Sequence, residues 1–314
     1  MQPYVCNMSD YSFLRKMFYL TSSISIAEII TYPLDRIKTL LYAKPTYFTK
    51  SFLGYQEFHL ISLEIFNVEK FFGFFYGLKA GFDRTFSFLL PKFFIFFYLM
   101  KQRKSDEISY FQLFKISIIS HTLSGLTAQM SNVLKIKLQG DPIVTSNIKK
   151  VDSISLKYIA MSEIYSKDNV FLFRCGLGTS LLSLNIMGLC ELFGFILFKK
   201  AFDQFSIIEN NKIMISVVLS TVVATLASHP VEILHNKIVL TELQGTVIKD
   251  LKSFVTNLLN KSQRRFFYQG ILPNLLRNCC FNAILIYILM RGIKFEEKKK
   301  IYRDYLFLNE ENLN

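Results

Sequence analysis

Apolar residues along this chain gather into six runs, at 12–41, 82–103, 112–138, 180–200, 212–240 and 274–294. Each is about 20 residues or longer, enough to span the hydrocarbon core of a bilayer as a helix. Many carry charges near one end, as helices around a wet cavity would. Between them lie three shorter amphipathic stretches, 54–66, 154–165 and 246–259, which read as helices lying along a membrane surface. The pattern predicts an all-α membrane protein. Ser23 with Ala27, and Ser124 with Ala128, have the four-residue spacing of small residues that lets membrane helices approach closely. The Phe and Met stripes read as lipid-facing or packing surface. Residues 1–11 and 295–314 are polar tails, and a solvated segment is preferred to a docking one for the second.

One apolar run holds an unusual insertion, Thr31-Tyr32-Pro33-Leu34-Asp35-Arg36-Ile37-Lys38. Proline removes a backbone donor and bends a helix, and Pro230 later in the chain is a second such kink. Asp35 and Lys38 share one helix face, and charges at membrane depth point into a cavity or at each other. Two further copies read Met130-Ser131-Asn132-Val133-Leu134-Lys135 and Pro230-Val231-Glu232-Ile233-Leu234-His235. The copies start roughly 100 residues apart, the mark of an internal repeat. A second landmark recurs in phase. Phe71-Phe72-Gly73-Phe74-Phe75-Tyr76-Gly77 is matched by Phe266-Phe267-Tyr268-Gln269-Gly270 and, more loosely, by Phe171-Leu172-Phe173-Arg174-Cys175-Gly176.

Charge and composition narrow the class. The net charge of +13 could suit nucleic acid, but no zinc-ligand spacing, Gly-rich phosphate loop or basic tail accompanies it. Anionic lipid and an anion-accepting cavity fit the spans better. The five cysteines, Cys6, Cys175, Cys190, Cys279 and Cys280, have neither metal-ligand nor disulfide-framework spacing. No constellation suggests a covalent catalyst or a metal enzyme, so the chain is not expected to be an enzyme or to need a cofactor. The first ten residues lack arginine and include Asp10, which fits neither a cleavable signal nor an Arg-rich transit peptide.

Pro-x-Asp/Glu-x-x-Lys/Arg, triplicated in register over about Ser12 to Lys294, resembles the mitochondrial carrier family. The resemblance implies three carrier repeats, at 12–104, 105–205 and 206–294. It implies six transmembrane helices, three short matrix-side surface helices and a pseudo-threefold barrel. It also implies a multi-pass protein of the mitochondrial inner membrane with both termini toward the intermembrane space. Gly77, Gly176 and Gly270 open helices at the matrix surface, where the family binds cardiolipin and exposed amides suit a phosphate headgroup.

In that family the motif acids and bases pair between neighbouring odd helices and close the matrix end of a cavity. Carried over, Asp35 faces Lys135, Asn132 faces His235 and Glu232 faces Lys38. Both departures from the motif, Asn132 and His235, fall in one pair, so neither leaves a charge without its partner. Met130 in place of proline implies a straighter second copy. The opposite gate has aromatic and basic residues at Phe97 to Lys101, Phe195 to Lys199 and Tyr287 to Arg291, but the expected acid is missing from all three.

Seven residues beyond each landmark glycine stand Arg84, Ser183 and Arg277, the positions of substrate contact in the family. Two arginines there could grip a carboxylate or phosphate; they could equally pair internally, with Asp83 or Glu191 for example. Glu28, Glu191, His121 and His229 could line a proton path, though polar groups hydrogen-bonded between helices are the plainer reading. Two functions follow. The first is a carrier fold kept as a structural or accessory subunit of a larger inner-membrane assembly, such as a respiratory one. The second is an active alternating-access carrier of a small anionic metabolite. The missing acids favour the first, and the two arginines favour the second.

Overall fold

The computed structural model describes residues 10–43, 55–75, 77–101, 109–140, 175–205, 209–243 and 270–311. The amphipathic stretches 154–165 and 246–259, and the aromatic residues before Cys175 and Gly270, lie outside the described residues. Among the described residues seven α-helices follow in order: α1 (Asp10–Ala43), α2 (Tyr55–Glu69), α3 (Leu78–Lys101), α4 (Tyr110–Gly140), α5 (Leu177–Phe202), α6 (Glu209–Leu243) and α7 (Ile271–Glu311). A 3₁₀ turn, Phe71–Phe75, follows α2. No strand occurs among the described residues.

Each apolar run maps onto one long helix, and the stretch 54–66 onto α2. Leu177–Phe202, Glu209–Leu240 and Ile271–Gly292 are long and apolar enough to cross a membrane. The other long helices are more polar, and α1 alone carries Glu28, Asp35, Arg36 and Lys38. The six long helices pack as a closed ring: α1 against α3, then α3–α4, α4–α5, α5–α6, α6–α7 and α7–α1. The odd members α1, α4 and α6 also touch one another.

The ring is polar within and apolar without. Among the described residues more polar and charged side chains are buried than hydrophobic ones, while Phe18, Ile30, Phe94, Phe111, Leu182, Leu197 and Val223 stand exposed across α1, α3, α4, α5 and α6. Water would not reward that arrangement, but lipid does, because buried polar groups then have protein partners and apolar ones face hydrocarbon. The interior hydroxyls need few partners from other helices. Ser23 and Thr31 donate to carbonyls three and four residues back at 2.8 Å, and Ser124 does so at 2.6 Å. Ser23, Ala27, Ser124 and Ala128 are all buried at helix contacts.

Apolar packing fills three places. Leu20, Ile24 and Ala27 of α1 meet Leu89 of α3 with Phe281 and Leu285 of α7. Ile61 and Ile65 seat α2 against Ile37, Leu41 and Ile233. Val133 and Ile136 of α4 meet Cys175 and Val239 of α6. Pro33 and Pro230 lie inside α1 and α6, as the sequence places them, and Pro91 lies inside α3. Pro91 cannot donate to the Ser87 carbonyl one turn back. Thr127 of α4 does so instead, at 2.7 Å, turning a helix defect into an inter-helix bond.

The structure extends one boundary. The last helix runs 41 residues to Glu311, beyond the apolar run that ends at 294. Hydrophobicity stops there, but helix-forming Glu and Lys follow, and no glycine or proline interrupts the chain between Gly292 and Glu311. At 1.5 Å per residue the helix is about 60 Å long.

Candidate functional site: a polar cavity with an ionic floor

The contact of α1, α4 and α6 is made by the repeated motif itself. The near-backbone of each motif copy is helical, so its acid or amide and its base three residues on point the same way. Lys135 Nζ pairs with Asp35 Oδ2. Lys38 Nζ pairs with Glu232 Oε1 at 2.7 Å. The Asn132 amide donates to His235 Nε2 at 2.9 Å, while His235 Nδ1 donates to the Gly176 carbonyl at 3.1 Å. One neutral tautomer satisfies both bonds, so this third pair is complete without charge. The structure therefore brings Asp35, Lys38, Asn132, Lys135, Glu232 and His235 together at one end of the ring.

The network is larger than those three pairs. Asp35 is also approached by Arg277 Nε at 3.5 Å and by Lys38 at 3.6 Å. Arg277 Nη2 pairs with Glu28 at 3.2 Å, and its guanidinium lies over the Phe281 ring. Asn274 donates to Glu232 Oε2 at 2.7 Å and accepts from Lys38 at 3.3 Å. Gln139 donates to the Tyr32 hydroxyl at 2.7 Å and accepts from Thr39 at 2.9 Å. Arg36 donates to the Gln139 carbonyl and faces Glu69 at 3.6 Å, which ties α4 and α2 to α1. Three carboxylates, Glu28, Asp35 and Glu232, thus meet three bases, Lys38, Lys135 and Arg277. The floor is charge-balanced, which is what makes burial of so many ions tolerable.

Above this floor lies a cavity of about 130 Å³. Arg84, Ser183 and Arg277 all line it. Arg277 is engaged by Glu28 and Asp35, not by Asp83 or Glu191. Arg84 differs: it makes no ion pair and no hydrogen bond among the described residues. Asp83, its neighbour in sequence, is exposed on another face of α3. Beyond the floor the lining also includes Lys92, His121, Glu191 and Asn282. His229 lies outside the cavity, accepting from Asn274 at 2.9 Å.

Gly77, Gly176 and Gly270 each precede an even-numbered member of the ring and have φ of 78°, 61° and 68°. That left-handed conformation strains any residue with a Cβ, and a Cβ at Gly176 would stand 2.8 Å from His235 Nδ1. The far-end bases are used locally. Lys199 pairs with Glu209 at 3.3 Å, and Arg291 lies over Tyr287 of its own helix. Phe97 and Tyr98 are exposed.

Several network members carry no local signature. Gln139, Asn274 and Glu28 are single polar residues in long helices, and their partners come from distant sequence. Among the described residues no three His, Cys, Asp or Glu side chains gather as a metal site would require. No protein-family description and no curated protein matches the chain.

Proposed function

We propose that this chain is a membrane protein of the mitochondrial carrier type whose central cavity binds a small anionic solute. Arg84 carries the reading. The floor already balances its own charges, and the half-buried Arg84 adds to the cavity wall a cation with no ion pair among the described residues, which favours an anion in that space. A carboxylate or phosphate is the matching group, because Arg presents a planar fork of donors to either. Three motif copies, three left-handed glycines heading ring helices and the closed six-helix ring support a pseudo-threefold barrel of six spans in three repeats. On this reading the protein sits in the mitochondrial inner membrane with its ionic floor toward the matrix and its termini toward the intermembrane space. Cardiolipin headgroups lie at Gly77, Gly176 and Gly270.

Purified protein in liposomes tests the reading. Loaded with phosphate, a dicarboxylate or a nucleotide, the vesicles take up the same labelled anion, and Arg84→Gln cuts uptake at least about tenfold while the protein still melts cooperatively. Uptake unchanged in Arg84→Gln, or none with any of these anions, overturns it. A second reading, a carrier fold kept as an accessory subunit, is favoured by the far end, where no acid stands in the motif and Lys199 and Arg291 are occupied locally. Native gels of mildly solubilised membranes test that one: comigration with a large complex at fixed stoichiometry supports it, and migration of the free chain alone rejects it.

A further inference from the structure

The second, fourth and sixth helices of the ring, α3, α5 and α7, are poor in acid. Between Leu78 and Lys101 the only carboxylate is Asp83, between Leu177 and Phe202 it is Glu191, and between Ile271 and Phe295 there is none. Asp83 is exposed and does not line the cavity, so Glu191 is the one acid that these stretches bring to it. Lys92 of α3 and Glu191 of α5 hold equivalent places in the repeat, each 15 residues past its landmark glycine, Gly77 or Gly176. Both line the cavity away from the floor: Lys92 stands eight residues past Arg84, about 12 Å farther along α3. The two charges attract each other across the cavity, yet they form no ion pair. Each is held to its own side. The Lys92 ammonium lies over the Phe88 ring of its own helix, 5.6 Å from the centre. Glu191 Oε1 accepts from Asn282 of α7 at 3.0 Å, and Asn282 also donates to Thr221 of α6 at 2.9 Å.

A carrier has to close both ends of its cavity in turn, and each closed state needs contacts of its own. The floor supplies them at one end from α1, α4 and α6. At the far end the motif acids are missing, so any ionic closure between α3, α5 and α7 has to use Glu191. When those helices converge, water leaves the space between them. Opposite charges kept apart there would each lose hydration without gaining a partner, whereas pairing offsets that loss. A phenyl ring is a weaker hold on an ammonium than a carboxylate, and the flexible lysine stem lets the charge move from one to the other. We propose that Lys92 and Glu191 are the latch of the far end: as it closes, Lys92 leaves Phe88 and pairs with Glu191. Asn282 already ties Glu191 to α7, so one carboxylate then joins all three helices. The latch lies inside the cavity, nine residues below Lys101, and not at the rim where the motif residues stand. The proposal rests on the carrier reading above, since a protein that never cycles has no use for a second closure.

Charge exchange in the full-length protein tests the latch, with uptake of labelled phosphate, a dicarboxylate or a nucleotide into liposomes as the readout. Lys92→Glu and Glu191→Lys each cut uptake about tenfold or more. The double substitution restores the pair in reverse and brings uptake back to within about threefold of the unaltered protein. A carbodiimide, which joins an amine to a carboxylate only where the two touch, reads the contact without any substitution. Peptides joined through Lys92 and Glu191, detected by mass spectrometry, are at least about threefold more abundant during anion exchange than in its absence. Uptake untouched by either single substitution overturns the latch and leaves the carrier reading standing. So does a double variant that melts cooperatively but transports no better than the single ones, or the absence of the joined peptide from protein that exchanges the anion. If the variants fail to fold, the joined peptide decides alone. Uptake of none of these anions by the unaltered protein overturns the carrier reading, and the latch falls with it.

Discussion

A half-buried amide facing a buried imidazole is stable here because each has somewhere to put its protons. Asn132 gives one to His235, and His235 gives its own to Gly176. Charging one partner alone breaks that economy. Asn132→Asp and His235→Lys each leave an uncompensated ion among buried groups, and each is expected to lower the melting temperature. The double substitution recreates the ion pair of the neighbouring joints and recovers most of the loss. A double-mutant cycle by thermal melting reads a coupling of about 1–3 kcal/mol; additive losses would mean that the two side chains do not meet. These two positions were legible in the sequence because the repeat marked them and the family resemblance implied their pairing. Gln139 was not. Its bonds to Tyr32 and Thr39 join residues 107 and 100 apart, and an isolated glutamine in a helix says nothing of what it will meet.

Helices were the most legible elements, because a run of about 20 apolar residues has few other uses. Two features escaped. The last helix passes its apolar run because hydrophobicity and helix propensity are separate properties, and only the first falls at 294. The bond from Thr127 to the Ser87 carbonyl was invisible because it depends on which helix packs beside Pro91. Thr127→Val keeps the shape and removes the donor, so the Ser87 carbonyl loses its partner. A loss of about 0.5–1.5 kcal/mol in chemical or thermal unfolding is expected, and Thr127→Ser should restore the stability. Helix starts offer a sharper contrast. Gly176→Ala forces a side chain into a left-handed residue against His235 and should cost about 1–2 kcal/mol. Gly178→Ala, two residues on, enters open space inside a helix and should gain up to about 1 kcal/mol. Melting both variants side by side checks the placement of that turn, and the opposite ranking would reject it.

A ring with its charges inside and its hydrophobes outside behaves as a lipid-solvated body. The chain is expected to stay in the membrane pellet after alkaline carbonate or high-salt washing and to leave it only with detergent. Release by carbonate would contradict the outward apolar surface. The closure of the ring was legible only through the resemblance of its triplicated motif to a known architecture, since no single span states its neighbours. What the motif could not state is how unequal the three joints are. Helix α1 grips both others through charge, α4 by Asp35 and α6 by Lys38. Between α4 and α6 the motif residues offer only the amide–imidazole bond. Coulomb attraction fades gently with distance: stretching the 2.7 Å Lys38–Glu232 contact by about 1 Å keeps roughly three-quarters of it. A hydrogen bond stretched by about the same amount from 2.9 Å is gone. The floor therefore has a seam. Under any force that spreads the three helices, α4 and α6 come apart first, and α1 remains as the post on which both leaves still hang.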